Sequence, residues 1–306
     1  MITYYKRTSS DKGLKVVQSA RVGFWVYVES PSEEELQSLS DNCSLDIGHL
    51  RDALDPYEVP RHEVERSSTY IFTRVSEQIE DTYTTCPVLF ILTPDYLVTV
   101  VRKRLLLFDQ IISERKSIPT TAKTQLFLTL FEDIVSVYSS ALARINKKVI
   151  TLVANIGEIR NEDILSLVSQ EQVLNEFLNA IVQTNAFLKV LAADKTLFTE
   201  TDERDRMEDL FHATGQLIVL SKSSLTNAKN IRDAYTTIMT NNLNRVIKLF
   251  TTLTVVLTVP NIFSSFWGMN VSVPLSDNPF AFGIIAVSTM LVCALLFYIF
   301  QKMRWL

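Results

Sequence analysis

Between Pro119 and Pro260 the chain has no proline, and only Gly157 and Gly215 interrupt that interval. A stretch so poor in breakers excludes a turn-rich β region and favours long helices. Cysteine is scarce too. Cys43, Cys86 and Cys293 lie far apart, with neither metal-ligand spacing nor a pairing pattern, which excludes a disulfide framework and a cysteine zinc site. They fit a reducing compartment and read as small buried residues. Basic excess is missing: 30 Lys and Arg stand against 34 Asp and Glu, a net charge of −4, so no nucleic-acid partner is expected. The three histidines, His49, His62 and His212, form no HxxxH arrangement. There is no P-loop, GxGxxG or GxSxG, and no enzyme chemistry is legible. Met1 to Lys15 holds no apolar stretch behind a basic flank, so no cleaved signal peptide is expected.

What the sequence does have is two long apolar runs near its end. Ile247–Trp267 is 21 residues with Lys248 as its only formal charge, and Phe280–Phe300 is 21 residues with none. About 20 apolar residues at 1.5 Å rise cross a hydrocarbon layer of roughly 30 Å. Both are expected to span a membrane, joined as an antiparallel hairpin by Val271–Pro279. That loop has no Lys or Arg, and Asp277 is its only charge. Arg245 and Lys248 precede the first span, and Lys302 and Arg304 follow the second. The positive-inside rule then places both termini in the cytoplasm and the loop outside the cell membrane, with Trp267 and Trp305 at the two interfaces. A two-span hairpin cannot enclose an aqueous path alone, so conduction would require an oligomer.

The rest divides by pattern. Segments rich in β-branched and aromatic residues occur at Val22–Val28, Tyr70–Val75, Val88–Leu92 and Tyr96–Val101. Ser32 followed by Glu33, Glu34 and Glu35 reads as a helix start, and Ile47–Leu54 as a second short helix. Residues 1–115 are therefore expected to form a cytoplasmic α/β domain. Residues 116–246 are expected to be helical, with helices near 120–155, 160–196 and 202–267. Apolar positions such as Leu126, Leu130, Ile134, Leu142 and Ile145 recur at three- and four-residue steps. The last helix runs as a stalk of roughly 90–100 Å into the first span, residues 247–267. An outer loop (268–279), a second span (280–300) and a basic cytoplasmic tail (301–306) complete the chain.

Within the first span a heptad register selects Asn244, Ile247, Thr251, Thr254, Thr258, Asn261, Ser265 and Gly268, of which seven are polar or small. Hydroxyls and glycine serve close helix packing; they also hydrogen-bond the water shell of an ion. Under the second reading Mg²⁺ suits the stripe, because it dehydrates reluctantly and needs oxygens that contact its water. Asn270 amide oxygens and Gly268 carbonyls would ring the outer mouth, with glycine allowing close approach and unusual dihedrals where the helix ends. Pro260 removes one backbone donor from this helix.

Phe266-Trp267-Gly268-Met269-Asn270, at the outer end of the first of two C-terminal spans, resembles the signature of CorA-type magnesium transporters. The ending Gln301–Leu306 resembles that family's basic tail. Leu50-Arg51-Asp52-Ala53-Leu54 and Pro60-Arg61-His62-Glu63 resemble its N-terminal motifs. The resemblance implies a homopentamer with a cytoplasmic funnel, taking up hydrated Mg²⁺ and also Co²⁺ or Ni²⁺. It makes Gly268, Met269 and Asn270 the selectivity residues and Asn244 a pore-lining residue. Phe250 aligns with a hydrophobic constriction, where the heptad prefers Thr251. The resemblance further implies regulatory Mg²⁺ between subunits at Asp52 and Asp209, with Glu132 a further acid. Arg51 stands where that site would have another acid. A zinc-transporting branch of the same family and a membrane-tethered coiled-coil scaffold are the alternatives. No added His or Cys favours zinc, and a scaffold needs neither the stripe nor the Gly-Met-Asn loop.

Overall fold

A computed structural model describes residues 1–8, 11, 13–18, 22–113, 119–154, 160–194, 196–271 and 279–303. The chain forms two compact units, Met1–Ile231 and Arg232–Leu306.

The first unit is built on a seven-stranded sheet. Its strands are β1 (Ile2–Lys6), β2 (Lys15–Val17), β3 (Trp25–Glu29), β4 (Arg61–Glu65), β5 (Ser68–Ile79), β6 (Thr82–Leu92) and β7 (Leu97–Val101). Their spatial order is β2-β1-β3-β7-β6-β5-β4. β3 and β7 pair in parallel, with Trp25 opposite Leu97 and Glu29 opposite Val101; the remaining pairs are antiparallel. The central strands are covered on both faces, which is why they read as continuous apolar runs. Side chains alternate between the faces. Val26, Val28, Leu89, Ile91, Val98 and Val100 face α1 (Glu33–Cys43) and α2 (Ile47–Asp52). Trp25, Tyr27, Val88, Phe90 and Val101 join the core on the other face. There the Trp25 indole donates to the Thr99 hydroxyl at 3.0 Å, so the buried N–H has a partner.

α1 begins where the acids predict it. The Glu35 amide donates to the Ser32 hydroxyl and the Ser32 amide donates back to the Glu35 carboxylate, at 3.2 and 3.0 Å, a reciprocal cap that satisfies two free helix donors. The second face carries α3 (Leu106–Ser113), α4 (Lys123–Ala154), α5 (Asn161–Ala193) and the start of α6 (Thr201–Trp267). α4 points Phe127, Phe131, Ile134, Tyr138 and Ile145 inward. Phe127 meets Phe90 edge-on at 5.5 Å, and Tyr138 meets Phe177 of α5 at 5.0 Å, the geometry that aromatic quadrupoles favour. Asn185 of α5 donates to the Phe211 carbonyl and the Thr214 hydroxyl of α6 at 2.7 and 2.8 Å.

The three long helices match their sequence reading to within a few residues. Three strands were not expected. β1, β2 and β4 are short, mixed in polarity and lie toward the edges of the sheet, so they lack the apolar run that marks a central strand. α3 was not expected either.

The second unit contains the remainder of α6 and α7 (Ala281–Lys302). α6 is one continuous helix of 67 residues that includes Pro260.

Candidate functional site

Because α6 continues unbroken through residues 244–267, the heptad positions lie along one side of it. At 100° per residue they fall within an arc of about 120°. Asn244, Ile247, Phe250, Thr251, Thr254, Thr258, Asn261 and Ser265 are all exposed in the single chain. Thr252, on the side of the helix away from the stripe, is buried. The Thr254 hydroxyl donates to the Phe250 carbonyl at 2.8 Å, and the Thr258 hydroxyl to the Thr254 carbonyl at 2.7 Å. Each hydroxyl proton is thereby spent on the helix backbone, and the oxygen offers its remaining lone pairs outward.

Pro260 has no N–H, so the Val256 carbonyl four residues earlier loses its helical donor. Cys293 of α7 supplies one, its thiol donating to that carbonyl at 3.8 Å. Cys293 is partly exposed, not the plain buried filler that the sequence implied, and sequence reasoning gave it no role.

α6 ends at Trp267, and Gly268 still donates its N–H to the Ser264 carbonyl at 3.0 Å. Unusual dihedrals were expected at this glycine. The one glycine with positive φ among the described residues is Gly23; Gly268 has an ordinary backbone. A Cβ here would lie 3.3 Å from the Ser264 carbonyl oxygen, the same carbonyl that the Gly268 N–H meets. Met269 and Asn270 are exposed. Asp277, Arg304 and Trp305 lie outside the described residues.

The acids assigned to regulation are in the first unit. Asp52, at the end of α2, accepts from Arg61 at 2.8 Å. Arg61 also pairs with Glu58 and Glu63 and lies over the Phe72 ring. Arg51 turns away to Glu33, its Nε donating at 2.7 Å. Glu132 is held by Arg206 through two bonds of 2.8 and 2.9 Å, and that hydrogen bonding raises the guanidinium pKa above its ordinary value. Asp209 is exposed on α6. Within one chain, then, the structure brings Glu132 to Arg206 and Asp52 to Arg61. Sequence reading also overlooked a group it had no local reason to join: Asp46, His49 and Glu65.

Among the described residues, three helices are long and apolar enough to cross a membrane. The Lys123–Leu152 stretch of α4 is 56% buried in its most apolar window and belongs to the sheet's core. The corresponding windows of α6 and α7 are 6% and 0% buried. Apolar helices left so bare need lipid or other chains around them. An α/β unit whose last helix continues into the first of two terminal apolar helices, with a line of neutral oxygens on that helix, is the architecture of a membrane transport protein. The chain belongs to the CorA-like Mg²⁺ transporter protein family, whose model matches residues 22–302. It is 22% identical over 289 residues to the cobalt/magnesium transport protein CorA of Methanocaldococcus jannaschii, covering 92% of this chain and 91% of that one. The complete structure of the CorA magnesium transporter from that organism superposes with a TM-score of 0.86 at 21% identity, over 100% of this chain and 99% of the other. The cytoplasmic domain of ZntB from Vibrio parahaemolyticus matches with a TM-score of 0.64 at 11% identity, over 78% of this chain and 98% of that domain. The fold is that of CorA.

Proposed function

We propose that the chain is one subunit of a homopentameric channel in the cell membrane that admits hydrated Mg²⁺, and by the same route Co²⁺ or Ni²⁺, into the cytoplasm. The observation that carries this reading is the state of the Thr254 and Thr258 hydroxyls. Waters around a cation turn their hydrogens outward, so a wall that receives the hydrated ion must accept hydrogen bonds. A threonine whose proton already serves the helix backbone is such an acceptor. Asn261, Ser265 and Asn244 extend the same neutral lining. Without a carboxylate, the wall holds the ion weakly enough for it to leave. Five α6 helices would surround the path, and five α7 helices would separate them from lipid.

At the outer mouth, Gly268, Met269 and Asn270 form the entrance. The bare Cα of Gly268 lets the chain turn close over the last carbonyls of α6, and the Asn270 amide oxygens face the incoming water shell. Ile247 and the Phe250–Thr251 step form the narrow apolar section toward the cytoplasmic end. Both termini are cytoplasmic, in keeping with Arg245 and Lys248 before the first span and Lys302 after the second.

Regulation fits the acids. Mg²⁺ between Asp52 of one subunit and Asp209 of the next would hold the closed assembly, and its loss would release repulsion between the carboxylates. Asp52 is available because its pair with Arg61 is partly exposed, at 47% and 28%, and such pairs contribute only about 0–1 kcal/mol. Glu132 joins the site only in competition with Arg206.

The test is flux into proteoliposomes, comparing Mg²⁺, Co²⁺ and Zn²⁺. Asn270→Ala is expected to abolish Mg²⁺ entry while the purified protein still runs as a pentamer. Undiminished flux through that variant would overturn the assignment of the mouth.

A further inference from the structure

Outside the ion path, two elements converge at the edge of the sheet. Asp46 is the N-cap of α2 and His49 stands one turn further on, so both project from the start of that helix. Glu63 and Glu65 are two apart on β4 and share a face. Their opposite numbers on β5 are Tyr70 and Ser68. One ligand atom each of Asp46, His49 and Glu65 lies within 4.8 Å of the others. The His49 Nε2 is 3.5 Å from Glu65 Oε2 and 3.6 Å from Glu63 Oε2. Ligands on bonds of about 2.0–2.2 Å stand roughly 3.3–3.6 Å apart around a tetrahedral ion, and the two His49–glutamate distances match that spacing.

The groups are held in place by packing, as ligands must be. The His49 ring lies 4.5 Å from Tyr70 and 6.0 Å from Phe72, and its side chain is 15% exposed. The Asp46 carboxylate accepts from the His49 amide at 3.1 Å, while the Asp46 amide donates to the Tyr70 hydroxyl at 2.9 Å. Tyr70 thus supports both ligands. Gly48 leaves room for the carboxylate, since a Cβ there would fall 2.8 Å from Asp46 Oδ1. β4 is the last strand of the sheet, so Glu63 and Glu65 remain open to arriving ions. Arg61 donates to the far oxygen of Glu63 at 2.6 Å, which offsets part of the negative charge.

We infer that Asp46, His49 and Glu65, with Glu63 beside them, bind one divalent transition-metal cation of the zinc, cobalt or nickel class. An imidazole among carboxylates selects these ions over Mg²⁺, which prefers an all-oxygen shell. The bound ion ties the start of α2 to β4. It sits one guanidinium away from Asp52, because Arg61 bridges Asp52 and Glu63.

Cobalt serves as the probe. The full-length protein is titrated with Co²⁺ in detergent under a large excess of Mg²⁺, which occupies oxygen-only sites. One Co²⁺ per chain is expected, with the visible absorption of a nitrogen- and oxygen-ligated ion, displaced by Zn²⁺. His49→Phe keeps a ring on Tyr70 but removes the nitrogen, and Glu65→Gln removes a charge at an open position. Each is expected to weaken Co²⁺ binding about ten-fold or more with an unfolding midpoint close to that of the parent. No Mg²⁺-resistant Co²⁺ binding in the parent, or parent-like affinity in either folded variant, overturns the site. The readout is binding, so it stands or falls separately from transport.

Discussion

The thiol of Cys293 donates to the carbonyl of Val256, the carbonyl that Pro260 leaves without its helical donor. In a bilayer an unmet carbonyl costs several kcal/mol, and neighbouring helices are one source of relief. The two apolar helices are therefore joined at the point where the first would otherwise be weakest. Cys293→Ala is expected to destabilise the detergent-solubilised protein by about 0.5–1 kcal/mol, the worth of a weak hydrogen bond. In a Pro260→Ala background, where residue 260 regains its N–H, the same change is expected to cost little. Unfolding of the four proteins in a double-mutant cycle checks this, and additive effects would contradict it.

Arg51 occupies the position at which the sequence resemblance calls for an acid, and it turns instead to Glu33. Both side chains are more than half exposed, so breaking the pair has little effect on stability. Arg51→Glu places a second carboxylate beside Asp52. Inhibition by internal Mg²⁺ is expected at several-fold lower concentration, measured as flux into liposomes loaded with increasing Mg²⁺. A variant inhibited at the parent's concentration would count against Asp52 as part of the sensor.

Phe250 and Thr251 lie nearer the Asn244 end of the polar stripe, and an apolar ring gates water more effectively than a hydroxyl ring. Phe250→Ala is expected to raise flux under inhibiting internal Mg²⁺, while Thr251→Ala leaves that flux low. The reverse pattern would assign the constriction to Thr251.

Asp194 follows α5, where its carboxylate accepts from the Thr196 hydroxyl and amide at 2.6 and 2.8 Å. Those bonds hold its pKa below the ordinary value near 3.8. The unfolded chain then takes up this proton first as pH falls. The contribution of Asp194 is full above the ordinary value and is lost as pH drops through the lowered one. Asp194→Asn is expected to lower the unfolding temperature at neutral pH and to narrow its gap to the parent in acid. A gap of constant size across that range would refute the assignment.

Much of the molecule was legible in its sequence because the relevant signals are local. A run of apolar residues long enough to cross lipid needs no partner to be recognised. The absence of proline from 120 to 259 and the three- and four-residue apolar steps announce long helices, and the period of the Thr, Asn and Ser residues puts them on one side of α6 before any packing is known. Ser32 and Glu35 announce a helix start in the same local way.

Other relationships depend on chain segments meeting, and no local pattern encodes that. Glu132 reads as a free acid until α4 and α6 pack and Arg206 claims it across 74 positions. Cys293 reads as filler until α7 lies against α6, 37 positions away, where Val256 lacks a donor. β4 is too polar to read as a strand, and only its pairing with β5 turns Glu63 and Glu65 toward His49. The sequence by itself determined the two terminal apolar helices, the long helices before them and the polar stripe, because hydropathy and period act along the chain. The tertiary structure alone decided which acids have partners, which carbonyl the Cys293 thiol serves and where three metal-binding side chains meet, because those depend on distances across the fold.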